Sequence, residues 1–527
     1  MDRDDDRSRH QESASDAQAE LIWRASTEGD DVTLSSLALI RQAARAGDTL
    51  RAWRMFESAG LLGSAEDDAL SLRGRLLKDR ALKSSGEERS SFFDQAEAAY
   101  LRAAGDRRAT YPLINAATIA FLNGKPERAR ELAGRTIALL DSGDHEPETS
   151  YWLGATRAEA ELLLGRVDAG KAALERAIAG TPAAWEDHAA TLRQLRFVLE
   201  RMEQATDILD HLRPPVSLHF SGLIGLPAED EEIRAAIGSA LDTIRPGFVF
   251  GALAAGADIV IAELAMARGA HLHVVLPAPV DLFRGESVAR FGAHWAERFD
   301  RLIEAADVVE TVPDIDRLSD AAIILGEEIS MGLALRRART LASEAVALRV
   351  RRPTDAASPP ERVWRDRGLA HHDIMVGRSA ARGDHRLVER SRCAVLALAT
   401  SCSSEISLPP GAGVRTVAGH MVIFAEQLAD AAPLAVDILR AMPGNRAGLD
   451  YRVVDPGGDG LAEAADMAIL LARAAPPSSV LAACPGALAL ELHAPDLAFE
   501  SAGEIVTPLG DIPISMFPLA AADPTRQ

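Results

Sequence analysis

The residue types best suited to chemistry gather in one stretch, GFVFGALAAGADIVIAELAMARG, residues 247–269. A short apolar run ends at Gly251, a loop of small residues follows, and a helical pattern starts near Asp258. Small residues let a ligand approach the backbone. The free N–H groups and positive dipole of a helix start suit a phosphate or a ribose. The same pattern also describes a tight turn that packs a helix on a strand, and glycine spacing alone does not separate the two. Asp258 and Glu263 stand at i and i+5, and two carboxylates this close could share acid/base work. The plainer reading makes Asp258 the helix cap and leaves Glu263 a surface or ribose hydrogen bond.

Other candidates carry less. His371-His372-Asp373 contains metal-ligand types, but adjacent histidines diverge in regular structure and no third ligand stands at suitable spacing. The tripeptide reads as surface loop, and His271 and His273 read as one strand face lining the sheet end. No Ser-His-Asp or Cys-His set is recognisable. Cys393, Cys402 and Cys484 include no CxxC pair and are odd in number. This argues against a disulfide framework and fits a reducing cytosol. The expectation is no metal and no cofactor.

The elements that must position the loop follow from periodicity. VSLHFSGL, GFVFG, HLHVVLP and DVVETV read as strands. Helical patterns over 229–244, from Asp258, over 293–306 and over 321–348 alternate with them. Strand alternating with helix predicts a doubly wound parallel sheet over 214–350. Ahead of it, residues 31–210 are helical throughout. Gly47-Asp48 reads as stop and N-cap, and Gly124 and Gly165 each divide a helix pair. Those two turns lie 41 residues apart, longer than the tetratricopeptide period of about 34 because DSGDHEPETS is inserted. Paired helices of this kind stack to bury their faces. RRPTDAASPP opens a linker and domain edge over 351–390. Residues 391–521 mix strands (CAVLALAT, RTVAGHMVIFA, LDYRVVDPG, DIPISMFPL) with helices over 427–442 and 461–474, an α+β texture. Residues 1–30 and 522–527 read as tails.

Three resemblances attach to these stretches. HFSGL, the GAD loop and LFRGESVARFGAHWAERFDRLIEAADVVE together resemble the SLOG superfamily, whose members bind nucleotides or nucleotide-derived ligands. The resemblance implies a ligand site at Ser221, Gly222, Gly251, Gly256, Ala257, Asp258 and Glu263. Ala252 and Ala255 stand where relatives often carry polar or thiol side chains. The phosphoribohydrolase motif PGGxGTxxE of LOG-type members is absent, which argues against hydrolysis. Residues 392–519 resemble a class III nucleotide cyclase homology domain. The metal-binding aspartates of that family fall at Leu398 and His420, and its asparagine and arginine near Asp466 and Leu470. A leucine cannot ligate a hard cation, so cyclase activity is expected to be absent. The helices over 33–202 resemble the TRAFs-binding, tetratricopeptide-type region that precedes SLOG domains.

Composition sets outer bounds. The chain has 527 residues, a net charge of −21, 47% hydrophobic and 5% aromatic residues. That predicts three or four domains, solubility, and no nonspecific nucleic-acid binding. No run reaches the roughly 18 apolar residues of a membrane span, and MDRDDDRSRHQESAS lacks the apolar core of a signal peptide. The expected protein is cytoplasmic and multidomain: an all-α helical repeat, an α/β Rossmann-like domain and an α+β cyclase-like domain. Its expected role is regulatory, with a nucleotide-type ligand, a protein partner on the repeat and a homodimer through the cyclase-like domain. A nucleotide-processing enzyme and a ligand-free scaffold are the alternatives.

Overall fold

Alanine and leucine at helical spacing build the helices described between residues 32 and 201. The computed structural model describes residues 32–45, 49–227, 230–377, 387–400, 407–455, 460–497, 499–507 and 510–518. The expected tails, the Gly47-Asp48 cap and Cys402 lie outside the described residues. The chain divides into two compact units, residues 1–181 with 197–205, and residues 182–196 with 206–527.

The first unit holds helices α1 (Val32–Arg45), α2 (Thr49–Ser58), α3 (Asp67–Lys83), α4 (Gly86–Ala104), α5 (Thr110–Leu122), α6 (Pro126–Ser142), α7 (Ser150–Leu163) and α8 (Val167–Gly180). Gly124 and Gly165 both take left-handed φ, 75° and 79°. Each closes its helix with the same bonds: Lys125 N–H reaches Ala120 O at 2.9 Å, and Arg166 N–H reaches Glu161 O at 2.9 Å. This is the glycine stop in which the N–H beyond the glycine satisfies an orphan carbonyl. The insert between the pairs is pinned to the start of α5: Glu146 pairs with Arg107, and Glu148 accepts from Thr110 Oγ1 at 2.8 Å.

Helix α9 (Trp185–Arg201) is shared between the units, residues 185–196 belonging to the second. The second unit continues with β1 (Val216–Gly222), α10 (Glu231–Ile244), β2 (Pro246–Gly251), α11 (Ala257–Met266), β3 (His271–Leu276), α12 (Val280–Ser287), α13 (Ala293–Ala305), β4 (Val308–Thr311), α14 (Asp320–Thr340), β5 (Ala345–Arg351), α15 (Pro359–Asp366) and β6 (Ala370–Met375). The six strands form a parallel sheet in the order β4-β3-β2-β1-β5-β6. Two readings need correction here. The helical pattern over 321–348 breaks after Thr340, where Leu341 and left-handed Ala342 end the helix and AVALRVR becomes strand β5. The expected linker 351–390 carries α15 and the sixth strand, and His371-His372-Asp373 lies on that strand rather than in a loop.

The remainder holds β7 (Ser391–Leu398), β8 (Gly413–Val417), β9 (His420–Ala425), α16 (Leu428–Ala441), β10 (Arg446–Val454), α17 (Leu461–Ala474), β11 (Ser479–Ala483), α18 (Cys484–His493), β12 (Glu500–Thr507) and β13 (Gly510–Pro518). These strands form a mixed sheet in the order β12-β13-β11-β10-β7-β9-β8, with β7 antiparallel to both neighbours. RTVAGHMVIFA resolves into the hairpin β8–β9, turned at Ala418-Gly419, both at positive φ. One apolar core runs through both sheets, from Leu218 and Val274 to Leu396, Leu449 and Leu488.

Candidate functional site

In a doubly wound sheet, ligands sit where neighbouring crossovers part, beyond the strand C-terminal ends. Here that point lies between β1 and β5, with Ser221 opposite Arg349 and Gly222 opposite Val350. The loop after β2 and the start of α11 stand beside it, which brings Gly222, Ala257 and Asp258 together, with Ser221 next along β1. A Cβ on Gly222 would collide with the Cβ of Ala257. This glycine lets helix α11 close onto β1.

The other two glycines are also held by protein. A Cβ on Gly251 would lie 2.6 Å from the Phe220 carbonyl oxygen and 2.8 Å from the Phe220 ring. Gly256 has φ 128°, and a Cβ there would strike the Leu223 carbonyl. The loops after β1 and β2 bond to each other: Gly225 N–H donates to Ala255 O at 2.8 Å, and Ala257 N–H to Leu223 O at 3.1 Å. Ala255 N–H donates to Ser287 O at 3.0 Å. With Ala254 N–H bonded to the Asp258 carboxyl, the N–H groups of 254, 255 and 257 already have protein acceptors. Side chains rather than these donors are left to face a ligand.

Asp258 is not the helix cap. Gly256 occupies the N-cap, and Asp258 sits inside the first turn, where its Oδ2 accepts from Ala254 N–H at 3.2 Å. The side chain is nine-tenths buried at 6% exposure, and Oδ1 has no hydrogen-bond partner. Burial pushes its carboxyl up to about 8. The backbone at Ala254 and Gly222 opposes the shift, Glu327 adds to it and Arg349 subtracts. Glu263 takes no part. Its position puts it on another face of α11, where Arg298 holds it at 2.8 and 2.6 Å. The pairing of Asp258 with Glu263 as acid and base is therefore not built.

Residues not singled out in the sequence complete the cluster. His219, on β1 and 2% exposed, bonds Ser330 Oγ through Nδ1 at 3.0 Å. Its Nε2 has no hydrogen-bond partner and lies 4.0 Å from Glu327. Burial, then Arg349, lowers the imidazole to about 3, so it is neutral. Arg349 pairs with Glu327 and, at 3.0 Å, with Glu361. Glu361 also binds Arg351 at 2.7 Å and Arg365 at 2.8 Å. The Glu361 carboxylate further closes a capping box with Ser358 at the start of α15. That box, with Arg352 N–H donating to Asp355 at 2.9 Å, occupies donors of RRPTDAASPP. His219 lay hidden because it alternates with apolar residues on a buried strand. Glu327 lay hidden in a helix buried on nearly every face.

His271 bonds Asp307 at 2.8 Å and stacks on Phe248, at the strand start rather than the ligand end of the sheet. His273 lies 3.2 Å from Glu310. Among the described residues no group of three or more His, Cys, Asp or Glu is placed to hold a metal. In the mixed sheet, Leu398 is fully buried, and His420 bonds the Leu398 carbonyl at 3.1 Å and accepts from Arg473. Cys393 is buried on β7, and burial raises its thiol to about 11.

In the first unit, α7 and α8 flank a groove of about 340 Å³ floored by Gly154, Ala173 and Ala177 and edged by Arg157 and Arg176. No helix among the described residues is long and apolar enough to cross a membrane.

Residues 14–120 match the Tetratricopeptide Repeats-Sensor family model. That region is thus of a regulatory, protein-interaction type, and the TRAFs-binding likeness narrows to this coarser statement. No curated protein matches the chain. Among solved structures, a mutant form of the O-GlcNAc transferase of Thermobaculum terrenum aligns at 13% identity and TM-score 0.19, over 67% of this chain and 59% of that one. Haemophilus influenzae LpoA aligns at 13% identity and TM-score 0.12, over 68% of each chain. The chain spans little more than half of the transferase's length.

Proposed function

We propose that this chain is a regulatory protein that binds a nucleotide or nucleotide-derived small molecule at the β1–β5 switch point. It passes the bound state to a protein partner through its tetratricopeptide-type helices. The observation that carries the reading is Asp258: a carboxyl nine-tenths buried at a parallel-sheet switch point, with one oxygen unpaired. An unsatisfied buried polar atom is costly and is normally met by water or ligand. Ser221, Arg349 and neutral His219 offer further polar contacts around it.

The C-terminal module contributes as a binding or dimerisation part and not as a cyclase, because leucine and histidine stand where two metal-binding aspartates belong. The likeness to SLOG and cyclase domains supports these assignments through sequence alone. A scaffold without ligand is the second reading. It draws on the loop N–H groups that already have protein acceptors.

Small molecules released from the purified, denatured full chain and identified by mass spectrometry, with a thermal-shift panel of nucleotides alongside, separate the two. A co-purifying nucleotide that raises the melting temperature supports the sensor. A chain that carries none, and that no nucleotide stabilises, is the scaffold.

A further inference from the structure

Helix α14 lies between the two sheets and meets each with a different face. Gly326 packs on Pro277, Glu327 pairs with Arg349, and Ser330 bonds His219, all in the parallel sheet or its loops. Glu328, Gly332, Arg336 and Arg339 face the C-terminal module. A Cβ on Gly332 would collide with the Leu488 carbonyl, while Arg336 and Arg339 reach Glu491 at 3.1 and 2.7 Å. Successive residues on a helix point about 100° apart, which is how neighbours in sequence come to serve different sheets.

Glu328 is fully buried. Oε1 accepts from Arg392 and from His493 Nε2 at 2.9 Å, and Oε2 accepts from Tyr451 OH at 3.0 Å. These partners come from β7, α18 and β10, so this carboxylate joins three elements of the C-terminal module. Its neighbour Glu327, one residue away, belongs to the switch point.

We propose that α14 is the relay of the second unit: an exchange of partners at Glu327 displaces Glu328 from Arg392, Tyr451 and His493, and the mixed sheet loosens in response. The input rests on the ligand-site reading above, whereas the coupling does not need a ligand. A bound group that takes Arg349 leaves the half-buried Glu327 without its cation, which is costly. Where α14 itself turns to carry Glu327 toward water, Glu328 moves with it, because both ride on one rigid, close-packed element. Packed elements of this kind shift between discrete arrangements rather than bending gradually.

Hydrogen exchange of the full chain tests the relay. Glu327→Gln removes the charge at the input. It is expected to speed exchange about fivefold in peptides of β10 and α18, as well as near β1 and β5. Tyr451→Phe removes one Glu328 partner and, by reciprocity, is expected to speed exchange in the 252–256 loop by a similar factor. Asp300→Asn, which breaks only the surface pair with Arg284, is the control and changes α12 and α13 alone. Effects of Glu327→Gln confined to the parallel sheet would overturn the proposal. If that variant does not fold, an unchanged 252–256 loop in Tyr451→Phe overturns it equally. A failed nucleotide screen removes the input and leaves these results standing.

Discussion

Asp258 is a buried acid whose ionisation departs far from the ordinary. Folded, it keeps its proton to about pH 8, while an exposed aspartate releases it near 4. Between those values the folded chain binds the extra proton, so this residue's contribution to stability falls as pH rises. Asp258→Asn keeps an oxygen for Ala254 N–H and cannot ionise. It is expected to melt with wild type at pH 4 and to gain on it by about 1.4 kcal/mol per pH unit up to pH 8, on the order of 5 kcal/mol in all. Thermal denaturation across that range checks this, and parallel curves would refute the buried-acid assignment. At Gly256 the positive φ and the Leu223 carbonyl leave no place for a side chain. A substitution at Gly256 therefore disturbs the fold and cannot serve as a probe of ligand binding alone. Gly256→Ala is expected to cost about 1–3 kcal/mol by strain alone, read from the denaturation midpoint without any nucleotide present.

The elements most legible in the sequence were those with strong punctuation. Gly124 and Gly165 marked their turns because the same capping bonds recur at both. The first four strands stood out as short strand-like runs between helical patterns, and RTVAGHMVIFA read as strand without its turn at Ala418-Gly419. Strand β5 did not, because AVALRVR follows a helix of like composition with only Leu341 to Glu344 between them. Strand β6 and helix α15 were lost because their anchors are ion pairs, Glu361 with three arginines and Asp373 with Arg365 at 2.6 Å. Charge-rich strands imitate loops in composition. Half of the candidate site was likewise legible: the loop glycines and Asp258 announced themselves, whereas His219, Glu327 and Arg349 are assembled by strand register and helix packing. Helix α14 concentrates this packing. Gly332→Ala forces a methyl into the Leu488 carbonyl, and overpacking of this sort costs about 1–3 kcal/mol. Tryptophan fluorescence and far-UV circular dichroism should report one lowered transition for both sheets. Separate transitions, with only the mixed sheet affected, would show that α14 does not bind them into one unit.

At the scale of the whole molecule, the proposed function divides the labour of a sensor between the helical unit and the two-sheet unit. In that proposal the tetratricopeptide-type region presents the surface for a partner, the parallel sheet holds the ligand site, and the mixed sheet takes the signal without cyclase chemistry. Full-length protein incubated with ATP or GTP and magnesium or manganese is expected to form no cyclic nucleotide by mass spectrometry. Product that disappears when residues 391–521 are deleted would contradict that assignment. The switch point carries the central claim, and the pH dependence of nucleotide binding measures it most directly. An ionised Asp258 repels an anionic nucleotide, so calorimetry on wild type should show affinity falling about tenfold as pH rises through about 8. In Asp258→Asn the same titration should be flat. Identical pH profiles in the two proteins, or no binding at any pH, would contradict the claim that this carboxyl faces the ligand.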